Sequence, residues 1–210
     1  MRLSKTIGLI LIINLYINTA NAVIVNNNTY TTDTDSGLDW LDVTTSVNQS
    51  YNYVSSRFGL EQEYDGWRYA TSNEFNQLIN NATGAKINGF RSIYFTGFEI
   101  VPLIDLLGST YDTERAATNL PNDGRFDYTS GFVADIDDFG LHYSAYMQHD
   151  ARSITNFDFA LARVLPRNGT FRSYDKGSYL VRNSVVPLPA TFWLFGSGFL
   201  GLIGVFNRKN

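Results

Sequence analysis

The 210-residue chain is predicted to form one α+β domain, with short helices and an antiparallel sheet, followed by a C-terminal transmembrane helix. Three observations predict this class. Capped amphipathic segments lie mainly in the first half of the chain, apolar and polar residues alternate in the second half, and an uncharged apolar run stands near the C-terminus. The length between the two termini suffices for one core.

Residues 1–22 have the layout of a secretory signal peptide. Arg2 and Lys5 precede the apolar run 7–17, and Ala20 and Ala22 form an A-x-A cleavage site. We therefore expect the mature chain to begin at Val23. An uncleaved N-terminal anchor is the alternative, although this apolar run is short for a membrane span.

The first half of the mature chain is predicted to hold a hairpin, a strand and three short helices. Ser50 can cap the first helix, and Thr71 with Glu74 forms a capping box that opens the second. Pro102 limits the start of the third helix. The hairpin pairs 23–25 with 29–32, the strand covers 38–41, and the helices extend to Phe58, to about Asn80, and from Glu99 to Leu107.

The second half is predicted to be mostly strand. Residues 126–136 and 141–148 alternate on either side of the short turn 137–140, as in a β-hairpin. Residues 157–165 and 178–182 complete the sheet.

The charge of the mature domain separates classes of partner. All 20 acidic residues lie in 23–185, with 12 of the 16 Lys and Arg residues, which gives a net charge of −8. This acidity argues against nucleic acid and anionic lipid, and it suits cations or neutral glycans better. The chain has no cysteine, so it can form neither a disulfide nor a thiolate metal site.

The common signatures of enzymes are missing from the sequence. His142 and His149 are the only histidines, and seven residues apart on a strand they point to opposite faces, so they make no metal pair. There is no nucleophile elbow, phosphate loop or zinc-binding helix motif. We expect no catalytic residue and no cofactor, and no feature of the sequence indicates a hydrolase.

Acidic residues near two turns are weak candidates for calcium ligands. Asp33 and Asp35 alternate in one turn, and Asp135 and Asp137 alternate in another. Neither turn has a full ligand loop, and Asp in turns commonly bonds its own backbone. No metal site is therefore assigned.

Two tryptophans could provide a sugar-stacking surface or could belong to the core. Trp40 lies in an alternating strand, and Trp67 is followed by Arg68. We expect both rings to be packed in the core, with Arg68 bonded to a carboxylate or a carbonyl group.

The last 25 residues form a tripartite tail. A Pro-x-Pro break begins it, an apolar segment predicted as a transmembrane helix over 191–206 follows, and the basic end 207–210 closes it. Residues 192–206 would rise about 22 Å as a helix, against a hydrocarbon core of about 30 Å. Arg208 and Lys209 would stay on the cytoplasmic side and stop transfer, which places the body outside.

The tail resembles the PEP-CTERM sorting signal of Gram-negative bacteria, and the family typically has Glu where this chain has Leu188. The resemblance implies recognition by exosortase, a membrane enzyme, followed by removal of the tail. A permanent single-pass anchor is the alternative. The motif residues are Val186, Pro187, Leu188, Pro189, Ala190 and Thr191.

The body also resembles a known group in three sequence blocks, which are GLDWL at 37–41, DGWRYAT at 65–71 and GSYLVR at 177–182. These blocks are similar to those of PEP-CTERM proteins and, more distantly, to DUF1566-type surface domains, which have Leu-Pro in place of Tyr69-Ala70. The second resemblance implies a single C-type-lectin-like domain over 23–185, in which N-terminal and C-terminal strands pair.

These observations predict an exported, non-enzymatic protein of the cell surface or of an exopolysaccharide matrix, such as that of a biofilm. The protein would be held briefly in the inner membrane, with its body in the periplasm, until exosortase removes residues 186–210 in part or whole. The alternative is a lectin-like glycan-binding adhesin, with or without the help of calcium.

Overall fold

The computed structural model describes residues 24–87, 89, 93–95, 100–113, 126–150 and 157–185. Those ranges contain eleven strands, three α-helices and one 3-10 turn, Val43–Ser46. The strands are β1 Ile24–Asn26, β2 Tyr30–Asp33, β3 Leu38–Leu41, β4 Arg68–Tyr69, β5 Ile93–Phe95, β6 Tyr111–Thr113, β7 Phe126–Ile136, β8 His142–Asp150, β9 Phe157–Arg167, β10 Gly177–Ser178 and β11 Leu180–Asn183; the helices are α1 Tyr51–Ser55, α2 Ser72–Thr83 and α3 Val101–Leu107.

The strands form two sheets. The first sheet has the order β1-β2-β3-β11-β4 and is antiparallel throughout. The second has the order β10-β7-β8-β9-β5, with β6 added to β7, and only its β10–β7 pair is parallel. Of the first three strands, β3 pairs with the last strand, β11.

The predicted α+β, C-type-lectin-like class is wrong, because the described chain is mostly β with few helices. The capping signals did mark helices, but these are only 5, 12 and 7 residues long. Strands β7 and β9 each have 11 residues and β8 has 9. A cap fixes where a helix begins, and it carries no information on how much of the chain pairs in sheets.

No helix in the described ranges is long and apolar enough to cross a membrane. The predicted transmembrane helix over 191–206 and the predicted signal peptide over 1–22 lie outside the residues described.

The capping box at α2 is confirmed. The Thr71 hydroxyl accepts a hydrogen bond from the Glu74 N–H at 3.2 Å, and the Glu74 carboxylate accepts one from the Thr71 N–H at 2.8 Å. Gly84 ends the helix in the left-handed region, with φ 72°. The inward residues are those predicted, and all are fully buried: Phe75, Leu78 and Ile79.

The predicted hairpins are also present. In the β1–β2 turn Asn28 has φ 70°, and in the β7–β8 turn Gly140 has φ 77°, the conformation that tight turns between antiparallel strands require. Asp137 stabilises the second turn, since its carboxylate accepts hydrogen bonds from the N–H groups of Phe139 and Leu141 at 2.9 and 2.8 Å.

The segment predicted as one strand over 178–182 changes sheets at Tyr179. Its N–H donates to the Phe132 carbonyl of β7 at 3.0 Å, and its carbonyl accepts from the Ala70 N–H, which follows β4, at 2.9 Å. The Tyr179 hydroxyl donates to the Thr129 carbonyl at 3.0 Å. One buried residue therefore bonds to elements of both sheets.

The core has two parts. The larger cluster contains residues of both sheets and of helices α2 and α3, and the smaller one lies around α1 and the ends of β4 and β11. The larger cluster includes Trp40, Phe75, Leu78, Ile104, Val133, Met147 and Tyr179, and the smaller one consists of Val54, Tyr64, Tyr69, Phe132 and Leu180.

Gly177 is predicted to be intolerant of any side chain. A Cβ atom there would lie 2.2 Å from the Val43 carbonyl oxygen, a backbone atom that cannot move without shifting the 3-10 turn Val43–Ser46. We expect Gly177→Ala to lower the free energy of unfolding by about 1–3 kcal/mol or more, measured by chemical denaturation of the full chain in mild detergent. Gly59→Ala is the control, because its Cβ would meet only the Gln62 side chain at 3.6 Å. Equal stabilities of the two variants would contradict this account.

Candidate functional site

Each of the three sequence blocks contributes one strand to the first sheet, and the third block also contains β10 of the second sheet. They contribute β3, β4 and β11, and β11 lies between the other two. Arg182 of β11 is the register partner of Asp39 of β3, and Trp67 immediately precedes β4. The fold thus brings one residue of each block to the same place on the sheet.

Two aromatic rings and one carboxylate hold the Arg182 side chain. Its guanidinium carbon lies 4.8 Å from the centre of the Tyr30 ring and 4.4 Å from that of the Trp67 ring, which are cation–π distances. Its Nε donates to Asp39 Oδ2 at 3.1 Å. These contacts fix the side chain although 37% of it is exposed.

A chain of polar side chains continues from Asp39. The Thr32 hydroxyl donates to Asp39 Oδ1 at 2.7 Å, and the Asn27 amide donates to that hydroxyl at 2.9 Å. Asp39 is only 5% exposed, so the pair with Arg182 is anchored in the sheet at its acidic end. The result is a row of polar groups held in place before any ligand arrives.

A cavity of about 380 Å³ lies over this row, and we call it the Arg182 groove. Most of the residues that line it are polar, and Val25, Tyr30 and Val185 supply its apolar walls. The groove is lined by Val25, Asn27, Tyr30, Thr32, Thr34, Asp39, Arg182, Ser184 and Val185.

The two tryptophans have different environments in the structure. Trp40 is in the core and 1% exposed, as expected. Trp67 is half-buried: it packs against the smaller core cluster, as expected, and it also contacts Arg182. Arg68 bonds both kinds of acceptor predicted for it. Its two terminal nitrogens donate to the Glu74 carboxylate at 2.9 and 2.6 Å, and one of them also donates to the Tyr69 carbonyl at 3.1 Å.

The calcium candidate Asp33 is already bonded to protein groups. Its carboxylate accepts from the Asn81 amide at 2.8 Å and from the Ser36 hydroxyl at 2.7 Å. It also accepts from the backbone N–H of Asp35, whose own side chain is exposed. This is the arrangement of an acidic residue that stabilises its own turn.

The second pair of candidates is engaged in the same way. Asp135 accepts from the Ser72 N–H and from the Arg163 guanidinium, each at 2.6 Å. Burial opposes its ionisation, but these bonds prevail and lower the pKa of the carboxyl group. Asp137 caps the β7–β8 turn described above. In the described part of the chain no three His, Asp or Glu residues are grouped as metal ligands, and calcium binding stays a prediction.

The two histidines of β8 have separate environments. His142 stacks on Tyr51 with ring centres 3.5 Å apart, and burial lowers its pKa. His149 is fully buried, and its Nδ1 lies 2.6 Å from Asp158 Oδ1. Asp127 and Asp158 are its register partners on the two neighbouring strands. This row was not predicted: Asp127 and Asp158 occupy inward positions of the predicted strands, but His149 comes directly after the predicted strand 141–148.

Lys176 is a second residue that the sequence analysis missed. It comes just before β10, and its ammonium group donates to the Ser130 hydroxyl at 2.9 Å. Burial lowers its pKa to about 8. A lysine with a depressed pKa beside a serine is a typical catalytic pair, but Ser130 is buried and, unlike Asp39, does not line the Arg182 groove.

The tail begins where the first sheet ends. Strand β11 stops at Asn183, and Val185 is 92% exposed. The motif residues 186–191 and the basic pair at 208 and 209 lie outside the described ranges, as do Ala20 and Ala22. The profile of the PEP-CTERM protein-sorting motif matches residues 185–209.

The chain carries a PEP-CTERM sorting motif. The prediction made from the tail is thereby confirmed, in spite of Leu188. A PEP-CTERM signal implies export, transient membrane anchoring and processing by the membrane enzyme exosortase. The likeness of the body to DUF1566-type domains stays a prediction, and no curated protein and no solved structure matches the chain.

The burial of Lys176 predicts a stability that depends on pH. Its folded pKa of about 8 lies below the unfolded value of about 10.4, so between these values the unfolded chain binds more protons. We therefore expect the wild type to gain stability relative to Lys176→Met as the pH rises. The difference between their free energies of unfolding should increase by up to about 1.4 kcal/mol per pH unit between pH 8 and 9.5.

Chemical denaturation at a series of pH values measures this difference. The control is Lys86→Met, since Lys86 is exposed and its loss should leave no such slope. A flat difference between wild type and Lys176→Met would contradict the assignment.

Proposed function

We propose that this chain is an exported, non-enzymatic protein of the cell surface or the exopolysaccharide matrix, released there when exosortase removes its tail. The observation that carries the proposal is the PEP-CTERM match at residues 185–209. It begins two residues after β11 ends at Asn183. A cut within the tail would therefore leave every hydrogen bond of the first sheet in place.

The contacts of the reactive side chains support the non-enzymatic part of the proposal. Asp135 is bonded to Arg163, Glu74 to Arg68, and buried His149 to Asp158. Each of these groups has a structural partner, which accounts for it without a substrate. The acidic body also suits a hydrated matrix, where a net charge of −8 keeps copies of the protein apart.

The alternative function is that of a lectin-like adhesin that binds glycans. The Arg182 groove favours it, because polar side chains held in fixed positions beside an aromatic wall are typical of sugar-binding sites. The two functions are compatible, since a matrix protein can be retained by the polysaccharide that it binds.

Tail processing can be tested in an exosortase-bearing host by intact mass and C-terminal peptide mapping. We expect the wild-type chain outside the inner membrane without its apolar segment, and the full-length chain in the inner membrane when exosortase is deleted. The double variant Pro187→Ala/Pro189→Ala should be processed at least about tenfold less, because the break before the apolar segment is lost.

Gly59→Ala, which alters an exposed position far along the chain from the motif and meets only the Gln62 side chain, is the control for expression and export. Full-length wild-type protein retained in the inner membrane of the exosortase-bearing host would exclude the proposal.

The calcium version of the alternative has a separate test. Because Asp33, Asp135 and Asp137 already accept hydrogen bonds from protein donors, we expect glycan binding by the full chain to be unchanged by EDTA or by added calcium. Binding that requires calcium, and is lost in Asp35→Asn, would instead assign calcium a role at the first turn.

A further inference from the structure

We propose that the Arg182 groove binds a neutral sugar ring, held through neighbouring hydroxyl groups. This inference rests on the glycan-binding alternative above and assigns it a place and a class of ligand. The first argument is the supply of hydrogen-bonding groups. The described hydrogen bonds of the Arg182 guanidinium use only its Nε, so its two terminal nitrogens are available as a planar fork of donors.

The acceptors lie beside those donors. Each Asp39 oxygen accepts one hydrogen bond, from Thr32 or from Arg182, and a carboxylate oxygen can accept two. Adjacent hydroxyls of a sugar can donate to the carboxylate and accept from the guanidinium at the same time. The Thr32 and Asn27 side chains extend the row of polar groups along the groove, where they can bond further hydroxyl groups of the sugar.

The apolar walls of the groove suit the C–H faces of a sugar ring. A pyranose ring has faces made of C–H groups, which pack on aromatic and aliphatic side chains. Tyr30 of β2 lines the groove, and so does Val25 of β1, which is 38% exposed. The Tyr30 ring thus packs on the Arg182 guanidinium and also forms one wall of the cavity.

Charge decides between neutral and acidic sugars. The positive charge of Arg182 is matched by Asp39 at 3.1 Å, so the groove offers no excess of positive charge. The body around it has a net charge of −8, which disfavours the approach of a polyanion. A neutral hexose polymer therefore fits better than one rich in uronate.

The experiment uses the full chain in detergent micelles with dextran, galactan and mannan as neutral probes and alginate as the acidic probe. Binding is measured by calorimetry and by tryptophan fluorescence, since Trp67 contacts Arg182. We expect at least one neutral polysaccharide to bind at least about tenfold more tightly than alginate, and Arg182→Gln to weaken that binding by about tenfold or more.

Two further variants keep the test decisive. Val25→Trp fills the groove and keeps both residues of the Arg182–Asp39 pair. It should also weaken binding about tenfold, so it decides the matter if Arg182→Gln fails to fold. Arg172→Gln removes an exposed arginine elsewhere and should bind as the wild type does.

The outcomes separate this inference from the proposals on which it rests. If a neutral polysaccharide binds wild type and Val25→Trp equally, glycan binding stands and the groove assignment falls. If none of the four polysaccharides binds, glycan binding and the groove fall together, while tail processing remains to be judged by its own experiment. A preference for alginate would overturn the neutral class.

Discussion

The two sheets are joined through the main chain of one residue, Tyr179. Its N–H belongs to the second sheet and its carbonyl to the first, and its ring is buried between Trp40 and Phe75, at 6.4 and 5.0 Å between ring centres. Where the chain passes from one sheet to the other, no space remains beside the Tyr179 ring for another side chain. Gly131 faces the Tyr179 ring at a distance that a Cβ atom would reduce to 2.9 Å, so the long strand β7 must have glycine at this point.

Local features were predictable from the sequence, and the pairing of distant segments was not. The capping box at Thr71 and the turn at Gly140 depend on residues within four positions of each other, and both formed as expected. The division of 177–183 between two sheets depends on space at β7 and at the 3-10 turn, which are far away along the chain. For that reason the single-strand prediction and the α+β class were wrong, while most element positions were right.

The candidate site shows the same limit. Asp39, Trp67 and Arg182 each lie in a sequence block that attracted notice, but only the order β3-β11-β4 brings them together. Trp67 was expected in the core and does pack against the smaller cluster, but the sequence did not indicate that its ring also has a charged partner. The partner is Arg182, 4.4 Å away and more than a hundred positions further along the chain. The row His149, Asp127 and Asp158 was missed for a related reason, since strand alternation predicts an inward position but not its neighbours across the sheet.

The position of β11 also has a mechanical consequence. This strand is inside the first sheet, with β3 on one side and β4 on the other, and the sorting motif follows it after one residue, Ser184. A pull on the tail is therefore delivered along β11. Because antiparallel hydrogen bonds lie across the strand direction, such a load shears the bonds on both sides together, whereas an edge strand would peel away one bond at a time. The body is fastened to its tail at a point where tension is shared by the sheet.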